Sequence, residues 1–148
     1  MKFLPFILQS IAGVILAIPF IFIISRSKKW RPLLALSLVI TALIYVIFAV
    51  SFRGDEYRVL IEISGVFLYS IFALLGMKYT PLWISLGWAT HVFWDIGLHL
   101  LGGGVHYAPD WYPPFCLGFD LLIAISILFL MKRDTQYALF LKNELQSK

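Results

Sequence analysis

Charged side chains are scarce in this chain. They make up 14% of its 148 residues, against about 25% in an ordinary soluble domain. With 61% hydrophobic and 17% aromatic residues and a mean hydropathy of +0.89, the scarcity excludes a soluble globular domain and points to an integral membrane protein. Cysteine is almost absent as well. The single Cys116 excludes an intrachain disulfide, a CxxC redox pair and a zinc ribbon. Also missing are Gly-x-Ser-x-Gly, His-Glu-x-x-His and the multiple histidine boxes of desaturases. No internal repeat, low-complexity tract or linker marks a second domain, so 1–148 reads as one membrane domain. The net charge of +4 does not argue for nucleic acid, because the basic residues gather at segment ends and no basic patch interleaves with aromatics.

What is present is a series of apolar runs. A spanning helix needs about 20 mostly apolar residues, and five candidates appear, at 3–25, 33–52, 59–76, 81–102 and 114–131. The first is too long for the apolar core of a signal peptide and lacks a small-x-small cleavage site, so it reads as a retained span. Short connections make neighbouring helices antiparallel. The first loop carries Arg26, Lys28, Lys29 and Arg31 with no acid, and the tail opens with Lys132 and Arg133. The stretch 53–58 is balanced, and 103–113 has no Lys or Arg. The positive-inside rule then puts the N-terminus outside and the C-terminus inside. The expected fold is an all-α, five-span bundle in the inner (cytoplasmic) membrane, with a cytoplasmic tail over 132–148. That tail, with Tyr137, Leu139, Phe140, Leu141 and Leu145 among polar residues, reads either as a helix on the inner surface or as a solvated helical end.

Within the fourth run stand His91, Asp95 and His99, each four residues from the next. A step of four turns about 400° on an α-helix, so the three form one polar stripe. Ionisable groups at membrane depth cost roughly 2.5–3.5 kcal/mol or more each unless partnered. Counting about 1.5 Å per residue from the outer face places Glu62, His99, Asp95, His91, Cys116 and Asp120 all in the outer half. Cys116 and Asp120 share a face of the fifth run, and Glu62 and Tyr69 share a face of the third. One pocket open to the outside, roofed by the loop before 114, collects them. His106 and Asp110 on that loop stand at its mouth, and Trp111 and Tyr112 suit the aromatic belt.

The sharpest chemistry for this set is a metal site for zinc or iron. One ion cannot take the whole stripe, because His91 and His99 stand about 12 Å apart along the helix. Either Asp95 joins one histidine, with Asp120, Glu62 or Cys116 completing the shell, or two ions bind. A third option makes Asp95 the residue that orients a ligand histidine. The metal ligands expected are thus drawn from His91, Asp95, His99, Asp120 and Cys116. A vacant coordination position would activate water against a lipid or isoprenoid-like substrate, by hydrolysis or hydration. Asp95, His91, His99 and Glu62 are the catalytic candidates, and Trp88, Trp94, Tyr69 and His106 would line the substrate. A nucleophilic set of Cys116, His99 and Asp95 is an alternative, as is a purely structural His–Asp cluster. A non-enzymatic binding or assembly subunit for metal or haem would use the same histidines. A proton or ion pathway would need polar groups in the inner half, where only Ser and Thr occur. The sequence leaves homo-oligomerisation open.

The pattern Gly87-Trp88-x-x-His91-x-x-Trp94-Asp95-x-x-x-His99, with the later Cys116-x-x-x-Asp120, resembles a family of small bacterial integral membrane proteins grouped as a domain of unknown function. That family carries His-x-x-Trp-Asp-x-x-His-His and Cys-x-x-x-Asp. Leu98 stands here where the first histidine of its pair falls. The resemblance covers the last two runs, about a third of the chain, and implies a small helical membrane protein without supplying an activity. The five-span size is also similar to the tryptophan-rich translocator family, whose motifs do not match this sequence.

Overall fold

The computed structural model describes residues 3–52, 56–97 and 107–146. The described residues form five helices: α1 (Phe3–Ser25), α2 (Trp30–Ser51), α3 (Glu56–Lys78), α4 (Leu82–Asp95) and α5 (Tyr112–Gln146). Four of them, α1, α2, α3 and Tyr112–Gln136 of α5, are long and apolar enough to cross a membrane, with mean hydropathies between 2.1 and 2.8. Large apolar side chains such as Ile15, Ile47, Phe67 and Phe129 point outward, while Glu62, His91, Asp95 and Asp120 are buried. Apolar outside and polar inside is the arrangement that lipid favours, because no water is there to solvate an outward charge. The chain is a multi-pass membrane protein.

Helix ends depart from the hydropathy runs for local reasons. α2 and α3 begin at Trp30 and Glu56, because backbone hydrogen bonding reaches into the polar flanks that a hydropathy count leaves out. α5 starts two residues before the expected 114. Its Pro113 and Pro114 fall in the first turn, where a missing N–H is no loss. α5 then continues without a break to Gln146, so the tail is an extension of the same rod, about 52 Å in all. The largest departure is α4. It is helical for 14 residues, about 21 Å, against a hydrocarbon thickness of about 30 Å. A wider π-type turn follows at Ile96 and Gly97. The remainder of the expected fourth span, 98–102, lies outside the described residues.

α4 occupies the middle of the bundle, touching α2, α3 and α5, while α1 packs chiefly on α5. Two buried hydrogen bonds tie it there: Ser85 Oγ donates to the Ala124 carbonyl at 2.8 Å, and Trp88 Nε1 donates to the Leu34 carbonyl at 3.3 Å. The α1–α5 contact is closer still. A Cβ on Gly13 would stand 2.0 Å from the Phe115 carbonyl oxygen, and one on Gly118 would stand 1.9 Å from that of Ser10. Backbone meets backbone, as small residues permit between membrane helices.

At the opposite end from Asp95, side chains hold helix termini together. The Arg31 guanidinium donates to the Gly76 carbonyl, Arg133 Nη1 donates to the Ser25 carbonyl at 3.0 Å, and Trp30 Nε1 donates to Asp134 Oδ2 at 2.9 Å. Cations there also oppose the partial negative charge at the ends of α1 and α3. Gly13→Ala and Gly118→Ala should each lower the thermal midpoint in detergent, by about 2–4 °C for every kcal/mol of strain. Gly97→Ala, whose Cβ would meet nothing within 4 Å, should leave it unchanged. Fluorescence-detected size exclusion after heating measures all three.

Candidate metal centre

His91 and Asp95 are one turn apart on α4 and face α5, which supplies Asp120 as its ninth residue. All three are sealed from solvent, with exposures of 1%, 0% and 0%. His91 Nδ1 faces both carboxylates, at 2.9 Å from Asp120 Oδ2 and 3.5 Å from Asp95 Oδ1. One ligand atom from each residue lies within 4.8 Å of the others. The Asp120 contact needs one proton, on Nδ1 or on the acid, because a carboxylate only accepts. Even with a protonated imidazole, two ionised acids leave the group at net −1. Both oxygens of Asp95, and Oδ1 of Asp120, receive no hydrogen bond from the described residues. The Tyr45 hydroxyl stands beside Asp95. Buried charges persist where they are paired or coordinate a metal, and this donor set is one that could hold an ion.

Aromatic rings from the two other neighbours of α4 close over the imidazole. Tyr69 of α3 meets His91 edge-on at 4.8 Å between centroids, and Tyr45 of α2 lies at 5.8 Å. Tyr112, Phe48 and Tyr45 pack on one another behind it. Sequence reasoning missed Tyr45. Its only signal was a phenol in a span, 33–52, whose other polar groups are Ser37, Thr41 and Ser51.

Glu62 sits in a second, adjoining polar group. Trp94 Nε1 donates to its Oε2 at 3.2 Å, and the Tyr107 hydroxyl donates to Oε1. Tyr107 comes from the loop before α5, and the Arg58 guanidinium lies over its ring at 5.7 Å. Burial and the neighbouring Glu62 push the Tyr107 phenol well above its ordinary value, so it stays a donor. Gly65 makes room for the Trp94 ring, where a Cβ would stand 3.0 Å from Cζ2. Tyr69 bridges the groups, touching Trp94 at 6.1 Å as well as His91.

The remaining sequence candidates separate clearly. Glu62 and Cys116 are not part of the converging trio. Cys116 is buried one turn before Asp120, beside the hydroxyls of Tyr45 and Tyr112. Trp88 lies in the apolar core with Leu34, Leu38 and Phe119. Asp110 is exposed. His99 and His106 lie outside the described residues, as does any contact they make. An open cleft lined by Val50, Glu56, Val59 and Leu60 lies between α2 and α3, with none of the trio on its wall.

No curated protein and no solved structure matches the chain. A family model does, over residues 8–133. The match is far wider than the two helices on which the resemblance rested, running from α1 through the membrane-crossing part of α5. The chain belongs to the family of unknown function DUF6010.

Proposed function

We propose that this protein is a metal-dependent membrane enzyme whose ion, zinc or iron, is held by His91, Asp95 and Asp120. The observation that carries the reading is the convergence of these three buried groups to within 4.8 Å, with three carboxylate oxygens that receive no hydrogen bond from the described residues. A divalent ion would balance the two carboxylates and take up those lone pairs. His91 would bind through Nδ1, the nitrogen facing both acids, with its proton moved to Nε2. Three protein ligands leave a coordination position for water, the pattern of catalytic rather than structural zinc. When bound, the ion would lower the pKa of that water and supply a hydroxide for hydrolysis or hydration.

Five spans with the N-terminus outside belong to this reading, since Arg26, Lys28, Lys29, Arg31, Lys132 and Arg133 share one end of the bundle. The trio then lies nearer the outer leaflet of the inner membrane. A substrate reaching it from there would be lipid or isoprenoid-like. Glu62, joined to the trio through Trp94 and Tyr69, would serve as the nearby acid or base. A second reading, a non-catalytic metal-binding or assembly subunit, is favoured by one observation: the trio is closed to solvent.

Elemental analysis of the detergent-purified protein should find close to one zinc or iron per chain. Asp95→Ala and Asp120→Ala should lose it, and Cys116→Ala and Glu62→Gln should keep it. Metal-free wild-type protein that is otherwise folded would sink the proposal. Azide added to the cobalt-substituted protein separates the two readings, because an open position shifts the visible spectrum and a closed one does not. Occupancy should also depend on pH. Protons compete with the ion for His91 and both carboxylates, so retention against a fixed chelator should fall steadily from about pH 8 to about pH 5. A flat profile would exclude these ligands.

A further inference from the structure

The metal reading does not explain why α2 brings a phenol to the site. Tyr45 is completely buried six residues before the end of α2. Its ring lies 5.8 Å from the His91 imidazole and 5.4 Å from Tyr112. Its hydroxyl stands beside the Asp95 carboxylate and the Cys116 thiol. α4 and α5 supply the trio from two directions, and Tyr45 reaches it from a third. Tyr69 differs, since it meets His91 through its ring edge.

Resting on that metal site, we propose that Tyr45 is its fourth protein ligand and that the ion it is built to hold is ferric iron. Two carboxylates and one phenolate carry three negative charges, which a trivalent ion matches with the imidazole neutral. Among lipid-facing helices a neutral assembly avoids the cost of a net buried charge. The donors are hard, three oxygens and one imidazole nitrogen, while the soft donor nearby, Cys116, stands outside the converging group. On binding, the Tyr45 O–H bond breaks, its proton passes to the buffer, and an O–Fe bond forms. Nδ1 of His91 gives up any proton it holds in the same way. No electron moves, because the iron arrives as ferric ion. Four protein ligands leave ferric iron, which takes up to six, with room for the water that the proposed activity requires.

Full-length protein in detergent, loaded with ferric nitrilotriacetate, gives the test. Wild type should show a phenolate-to-iron charge-transfer band in the visible, with tyrosinate modes in resonance Raman that shift when ring-deuterated tyrosine is incorporated. Tyr45→Phe should lose the band and weaken ferric binding by at least about tenfold, while still taking up zinc at the trio. Tyr69→Phe should keep the band. Iron bound without a tyrosinate signature in wild type, or a signature that survives Tyr45→Phe, would overturn the role of Tyr45 and leave the trio standing as a metal site. Wild type that takes up neither iron nor zinc would overturn both. The Raman measurement on wild type decides the question even if Tyr45→Phe does not fold.

Discussion

Two carboxylates and an imidazole buried together between lipid-facing helices constrain everything around them. Each charge taken out of water costs several kcal/mol after relaxation, and here Asp95 and Asp120 share one histidine. Such a group persists only where the scaffold holds it rigidly and the charge is balanced. The rest of the bundle meets the first condition. α4 lies between three helices, locked by Ser85 to α5 and by Trp88 to α2. Tyr45 and Tyr69 shield the imidazole from the remaining sides.

Glu62 shows the same logic with a different solution. Its carboxylate accepts hydrogen bonds from an indole and a phenol, so neutral donors satisfy it. The trio has few such donors among the described residues, where three of its four carboxylate oxygens receive no hydrogen bond. One buried acid is thus satisfied by neutral donors, while the other two meet over a shared imidazole. Tyr107, from the stretch just before α5, also ties that stretch to α3 through Glu62.

Much of this was legible in the sequence, and for identifiable reasons. Four long apolar runs announce four membrane-crossing helices because lipid thickness fixes their length. His91, Asp95 and Asp120 stand out because ionisable groups are rare in such runs, and their spacing puts the first two on one face. Hydropathy could not show where the regular α-helix of α4 gives way to a wider turn. Ile96 and Gly97 are as apolar as what precedes them, and a π-type turn leaves no mark on composition. Tyr45 was invisible for a related reason, since a phenol in an apolar span reads as an aromatic filler until its neighbours are known. Cys116 carried the right spacing from Asp120, but spacing along one helix does not fix which neighbour the thiol faces.

The close approach of α1 to α5 at Gly13 and Gly118 bears on the trio as well. α1 packs chiefly on α5, and α5 is also the helix that brings Asp120 to His91. Gly118 stands two residues before Asp120 in the chain, and its backbone lies against Ser10 of α1. Bulk that pushed the two helices apart there would act on the same short stretch of backbone that sets the Asp120 carboxylate. The seat of α1 and the position of one acid of the trio are thus two faces of a single turn of α5.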